Sequence, residues 1–171
     1  MRADWRTAQA EPMTTLHALA PITGLVTAFR PVATPSSQVS LLTFETHLRR
    51  PVFADFALAC AAARAVADPA NWHEARLLAW VLLPDHWQGL VETPDEAARL
   101  RLVQNLKAAT TRCVRNWDPA IDPLWARATQ ERRLRRDDDR AEAARYLIAE
   151  PVRNGLVASL DDYPFWNSEW V

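Results

Sequence analysis

Two apolar stretches near the middle of the chain have the pattern of paired strands. Residues 75–83 (ARLLAWVLL) are an almost continuous hydrophobic run, which is typical of a strand covered on both faces. Pro84 and Asp85 then supply turn chemistry, and residues 86–92 are predicted to return as the partner strand. An earlier run, residues 39–45 (VSLLTFE), is rich in hydrophobic and β-branched side chains and predicts a further strand.

Apolar side chains at helical spacing predict two helices beside these strands. Residues 53–67 (FADFALACAAARAVA) combine that spacing with strong helix formers. The next helix is predicted to start with Thr93 as its N-cap, Pro94 at the first helical position and Glu96 at the third. It should run to about Trp117. Helices that alternate with strands, including a tight hairpin, favour an α+β fold with an antiparallel or mixed sheet.

The region that follows has one ambiguous segment and one clear one. Residues 129–136 (TQERRLRR) fit a strand or a helix. Three aspartates, residues 137–139, then offer N-caps and favourable charge for a helix over RAEAARYLIA. Pro151 disfavours helical geometry at Glu150, so this helix is predicted to end about there.

Length and composition indicate one globular domain with an N-terminal arm. The chain has 171 residues, of which 49% are hydrophobic and 24% charged. Residues 1–38 contain several prolines and no sustained periodicity, so they are predicted to form an extended arm, and residues 39–171 the domain. No apolar run approaches the roughly 20 residues of a membrane span, and no secretory signal pattern is visible. The expected location is therefore cytoplasmic, with no membrane partner.

Cationic side chains are unevenly distributed, although the net charge is only -1. Lys107 is the single lysine, whereas arginines are numerous and several cluster within residues 127–140. Arginine binds phosphate bidentately and stacks on bases, so the cluster can serve nucleic acid. A GC-rich coding sequence would enrich arginine equally well. Cys60 and Cys113 have apolar, helix-like surroundings and are expected to be reduced core thiols rather than zinc ligands.

Two polar residues, His86 and Gln88, interrupt the apolar stretch LLPDHWQGLV. On a strand they project from the same face, while Trp87 points to the other, because side chains alternate with period two. An imidazole and an amide oxygen side by side can bind a divalent metal once a third ligand is supplied from elsewhere. A solvent-facing polar stripe on a half-exposed strand has the same spacing.

A second pair, Tyr146 and Glu150, lies four residues apart on the third predicted helix. Glu150 is predicted at the helix C-terminus, where a carboxylate is disfavoured by about 0.3 to 1 kcal/mol unless a cation offsets the helix dipole. A metal would serve as that cation, and so would Arg153 or Arg145.

These segments occur in the order found in a known family of enzymes. LLPDHWQGLV, then ERRLRR, then ARYLIAEPVRNGLV and the C-terminal DDYPFWNSEWV resemble the REP-associated tyrosine transposases of bacteria. These are single-tyrosine transposases within the HUH endonuclease superfamily. The resemblance covers about residues 39–171 and leaves the arm outside.

The resemblance implies a ferredoxin-like palm, with a central antiparallel sheet and helices packed mainly on one side. The family's two metal-binding histidines fall on His86 and Gln88, its catalytic tyrosine on Tyr146, and its third metal ligand on Glu150. The chain therefore departs from the family twice, with an amide in place of the second imidazole and a carboxylate where an amide is usual. A ligand set rich in oxygen favours Mg or Mn as the cofactor.

The activity implied is metal-dependent nicking and strand transfer on single-stranded or hairpin DNA through a 5′-phosphotyrosine. Dimers are common in the family, so a homodimer is an expectation that the sequence itself does not decide. The alternative is a DNA-binding protein that keeps the fold without cleaving. Candidate contacts to the DNA backbone are four clustered arginines, Arg132, Arg133, Arg135 and Arg136.

Overall fold

A computed structural model describes residues 37–135 and 138–171 of the chain. Almost all of the predicted arm, and Arg136 among the candidate DNA contacts, lie outside the described residues. The boundary predicted after residue 38 therefore stays a prediction. Gln38 itself opens the first strand, one residue earlier than the hydrophobic pattern indicated.

Five strands form one sheet in which every neighbouring pair is antiparallel. They are β1 (Gln38–Glu45), β2 (Arg76–Leu83), β3 (His86–Thr93), β4 (Gln130–Arg133) and β5 (Trp166–Ser168). The order β4-β1-β3-β2-β5, with a helix after β1 and another after β3, gives the β-α-β-β-α-β arrangement of a ferredoxin-like fold with β5 added at one edge. The α+β class and the central antiparallel sheet are thus confirmed.

The β2–β3 hairpin places the polar pair at the centre of the sheet. Leu83 lies opposite His86, so Pro84 and Asp85 form the turn as predicted. On its other side β3 pairs with β1, where His86 lies opposite Glu45. Because β3 is hydrogen-bonded on both sides, its side chains have fixed directions, and their alternation separates His86 from the Trp87 indole on the opposite face.

The two long helices, α1 (Phe56–Ala67) and α2 (Glu96–Arg115), lie together on the Trp87 face of the sheet. Trp87 packs against Phe44 of β1 there, with ring centroids 4.8 Å apart, and Lys107 of α2 lies over the same Phe44 ring. None of the described helices is long and apolar enough to cross a membrane.

The predicted start of α2 was wrong by two residues. Thr93 is the last residue of β3, where it pairs with Gln38, and so it is not the N-cap. The cap is Asp95, whose carboxylate accepts a hydrogen bond from the Ala98 amide at 2.7 Å.

Two shorter helices, α3 (Arg140–Ile148) and α4 (Glu150–Arg153), follow β4 and lie on the opposite face, where α3 contacts β2, β3 and β5. Asp139 caps α3 by accepting from the first-turn amides. Helix α3 ends before Pro151, as expected, but Glu150 begins α4 instead of ending α3. The predicted unfavourable position at a helix C-terminus was therefore wrong, and the dipole argument for a cation at Glu150 does not apply.

Candidate active site

His86, Gln88 and Glu150 come together on the face of the sheet that carries α3 and α4. The His86 Nε2 atom lies 3.4 Å from Glu150 Oε1 and 3.3 Å from the side-chain nitrogen of Gln88. His86 and Gln88 share a strand face, and Glu150 reaches His86 from the first residue of α4. Since all three belong to one chain, this cluster forms without a second copy of the protein.

Asp85 orients the His86 ring. Its carboxylate oxygen lies 2.6 Å from His86 Nδ1, and its other oxygen lies 2.9 Å from a guanidinium nitrogen of Arg49. A proton held on Nδ1 by Asp85 leaves the Nε2 lone pair facing Gln88 and Glu150, which is the tautomer that a metal ligand requires. The sequence pattern indicated only a turn role for Asp85, although an acidic residue directly before a candidate histidine ligand was a usable signal.

Two carboxylates raise the pKa of His86. Burial of His86, a residue that is only 5% exposed, lowers its pKa, but the hydrogen bonds and negative charges of Glu150 and Asp85 outweigh this effect, so the pKa is raised. Without a metal, an imidazolium can therefore bridge the two carboxylates. A bound divalent cation would take the place of the proton on Nε2.

The donor set fits a hard divalent cation. Two donors bound at right angles to Mg²⁺ lie about 3 Å apart, because each bond is about 2.1 Å long. The distances from His86 Nε2 to Glu150 and Gln88 are only slightly longer. Turning the Gln88 amide would present its oxygen, since the two amide atoms are assigned from the hydrogen-bond network. Within residues 37–135 and 138–171, no three His, Cys, Asp or Glu side chains form a metal-binding group, so Gln88 would be needed as the third donor.

Tyr146 lies on α3, one turn before Glu150, and 67% of it is exposed. In the part of the chain that the structure describes, its hydroxyl makes no hydrogen bond, either to the three clustered side chains or elsewhere. Its ring instead contacts Arg153, whose guanidinium carbon lies 3.8 Å from the ring centroid. From the sequence, Arg153 was expected only as a partner for Glu150. A spacing of seven residues, two helical turns, was the signal that linked it to Tyr146.

The arginine cluster is divided by the alternation of β4. Arg132 lies opposite Leu41 on β1, and residues opposite each other share a face, so Arg132 projects from the face that carries His86. Arg133 projects from the other face and is paired with Glu96 and Glu131. Arg135 is exposed, and its described hydrogen bonds are made by its backbone, whose amide and carbonyl both bond to Asp138.

Two solved structures are similar to this fold. One is a REP-associated tyrosine transposase bound to a REP hairpin, with a TM-score of 0.55, 20% identity and coverage of 81% of each chain. The other is a putative transposase from Deinococcus radiodurans R1, with a TM-score of 0.53, 19% identity, and coverage of 73% of this chain and 95% of the other.

The chain has the fold of these transposases. No protein-family model matches the sequence, and no curated protein matches it either. The likeness agrees with the resemblance noted in LLPDHWQGLV and ARYLIAEPVRNGLV, and at this level of identity it concerns the fold.

Proposed function

We propose that the protein is a metal-dependent nickase and strand transferase that uses Tyr146 to attack single-stranded or hairpin DNA. The observation that carries the proposal is the convergence of His86, Gln88 and Glu150, three donors from two elements, with the exposed Tyr146 four residues before Glu150. The transposase-like fold supports it, and the hairpin bound to one structural neighbour supports the choice of DNA.

His86, Gln88 and Glu150 would hold Mg²⁺ or Mn²⁺. When bound, such an ion supplies positive charge that polarises a scissile phosphate. Asp85 keeps the His86 ring in the ligating orientation, and Arg49 holds Asp85 in turn. Positioning of this kind matters because metal affinity depends strongly on the groups that orient the ligands.

Tyr146 performs the covalent step. Its hydroxyl oxygen forms a bond to phosphorus as the bond from phosphorus to the 3′-oxygen breaks, and the phenol proton is given up as the leaving oxygen gains one. The products are a 5′-phosphotyrosine and a free 3′-hydroxyl. One phosphoester replaces another, so a 3′-hydroxyl can reverse the step and join strands without an external energy source.

Trapping the covalent intermediate tests this activity. Hairpin oligonucleotides incubated with the protein and Mn²⁺ should yield an adduct that resists denaturation, and the adduct should disappear in Tyr146→Phe. Tyr163→Phe is the matched control, because Tyr163 is buried and its hydroxyl donates to the Leu82 carbonyl. An adduct that persists in Tyr146→Phe, or none with any of a varied panel of hairpins, would contradict the proposal.

A DNA-binding protein without cleavage is the second candidate, and Gln88 is the observation that favours it. An amide is neutral and a weaker donor than an imidazole, so the site could hold its metal too weakly to react. This second candidate predicts salt-dependent binding of single strands with no adduct at millimolar Mn²⁺. The expected homodimer is a separate proposal, which sedimentation of the protein with and without DNA would test.

A further inference from the structure

The Arg153 side chain makes two contacts with Tyr146. Its guanidinium lies over the phenol ring, 3.8 Å from the centroid, and one of its terminal nitrogens donates to the backbone carbonyl of Tyr146. A guanidinium stacked on an aromatic face is attracted to the negative charge of the ring. Both the side chain and the backbone of the exposed Tyr146 therefore contact the same arginine.

We propose that Arg153 is a positioning residue for Tyr146, one that holds the phenol in the orientation from which it attacks. The inference rests on the proposed function, in which Tyr146 is the nucleophile. An exposed tyrosine otherwise samples several rotamers, and only a fraction of them would direct the hydroxyl at a bound phosphate. Stacking on one ring face removes part of that freedom before DNA arrives.

The position of Arg153 in the fold strengthens this assignment. The backbone amide of Arg153 donates to Ala149, the residue that joins α3 to α4, at 3.0 Å. Helix α4 also begins with the candidate ligand Glu150. The same short helix thus has the candidate metal ligand at its start and, at its end, the residue that contacts the nucleophile. Its geometry therefore fixes the position of one relative to the other.

Arg153 has no competing carboxylate partner among the described residues, since no ion pair joins it to Asp or Glu there. A guanidinium that served only to balance Glu150 would lie on that carboxylate, whose observed partner is His86. Both described contacts of the Arg153 side chain are to Tyr146, so its effect on the reaction would pass through that residue.

Fluorine NMR can measure the contact without any reaction, because the chain has only two tyrosines. Protein labelled with 3-fluorotyrosine should show one resonance from Tyr146 and one from Tyr163. Tyr163 is buried, so its resonance reports whether each variant is folded. We expect Arg153→Ala to move the Tyr146 resonance toward that of free fluorotyrosine and leave Tyr163 unchanged. Arg153→Lys keeps the charge but not the planar stack, and should shift Tyr146 partway.

Single-turnover adduct formation supplies the functional measurement. At saturating hairpin DNA with Mn²⁺, Arg153→Ala should react about tenfold to a hundredfold more slowly, the loss expected for a misplaced reacting group. Its dissociation constant for the same DNA should be unchanged. Arg145→Ala is the matched control, since it removes a guanidinium next to Tyr146 on the exposed face of α3 without touching the ring, and it should leave both quantities at wild-type values.

Several results would overturn the proposal. A Tyr146 resonance that does not move in Arg153→Ala would show that the contact does not hold the ring. An unchanged or faster rate in that variant would exclude positioning for attack, and weaker DNA binding with a normal rate at saturation would make Arg153 a phosphate contact instead. If wild-type protein forms no adduct, the proposed function fails and this role fails with it, whereas a reactive wild type with an equally reactive variant removes only the role of Arg153.

Discussion

In the proposed metal site, Gln88 would be the weakest of the three donors. An imidazole at this position would offer a stronger donor than the amide and would suit Mn²⁺ as well. The backbone is already suited to the exchange, because Gln88 lies two residues from His86 on the same face of a central strand. Replacing the Gln88 amide by an imidazole therefore requires no rearrangement of the fold.

Gln88→His is expected to bind Mn²⁺ about tenfold more tightly, a change of about 1.4 kcal/mol. The preference for Mn²⁺ over Mg²⁺ should also increase, since nitrogen donors favour the softer ion. Calorimetric titration of both ions into wild-type and variant protein checks the prediction. The gain should vanish in a Gln88→His, His86→Ala double variant. A gain that survives there would mean that the new imidazole binds metal elsewhere.

At the residue scale, the sequence predicted which side chains share a strand face but not which contacts they make with distant segments. The shared face of His86 and Gln88 followed from strand alternation alone, which is a local property. The approach of Glu150 to His86 depends on how α4 lies against the sheet, and no spacing within either segment contains that information. The link from Asp85 to Arg49 is of the same kind, since it joins the hairpin turn to residues after β1.

Among the elements, β3 shows why a correct local motif can be assigned to the wrong residue. The segment Thr-Pro-Asp-Glu offers two possible caps, Thr93 and Asp95, and both satisfy the capping preference. Pairing with Gln38 extends β3 through Thr93, which leaves Asp95 as the cap. The choice is made by β1, a strand far earlier in the chain, so a local pattern could not resolve it.

Lys107 of α2 is bonded to the segment that precedes the short edge strand β4. The Lys107 ammonium donates to the carbonyls of Ala126 and Ala128, at 2.9 and 3.0 Å, in the segment just before β4. It also lies 5.1 Å from the centroid of the Phe44 ring, and partial burial lowers the pKa of Lys107. This lysine therefore adds to the pairing with β1 in holding β4, the strand that carries Arg132, to the rest of the domain.

Lys107→Met should loosen β4 without unfolding the sheet. Loss of hydrogen bonds from a charged donor is expected to lower the free energy of unfolding by about 1.5 to 3 kcal/mol. Amide hydrogen exchange should accelerate in Gln130–Arg133 more than in β2, as measured by mass spectrometry. Arg112→Met is the matched control, because it removes an exposed cation from the same helix and should leave exchange in β4 unchanged. Uniform acceleration across the sheet would contradict the local role.

For the whole molecule, the net charge of -1 means that the proposed attraction to DNA would have to come from local groups rather than from the overall field. The sequence identified the arginine cluster. It could not decide which of these arginines are already paired with carboxylates, because composition does not record ion pairs. Strand alternation places neighbouring arginines on opposite faces of the sheet. Arg132 lies on the face of the candidate site, whereas the charge of Arg133 is offset by two glutamates near α2.

Salt dependence of DNA binding should separate these two arginines. Each phosphate that a protein cation neutralises on a single strand adds about 0.7 to the slope of the logarithm of the binding constant against the logarithm of salt concentration. Arg132→Gln is expected to lower that slope by about this amount, because the variant neutralises one phosphate fewer. Arg133→Gln should leave it nearly unchanged, and because it removes the same charge from the neighbouring residue, it serves as the matched control. Fluorescence anisotropy with a labelled single-stranded oligonucleotide at several salt concentrations measures both. Equal reductions in the two variants would indicate that DNA binds to the edge of β4 without preference for the face on which His86, Gln88 and Glu150 converge.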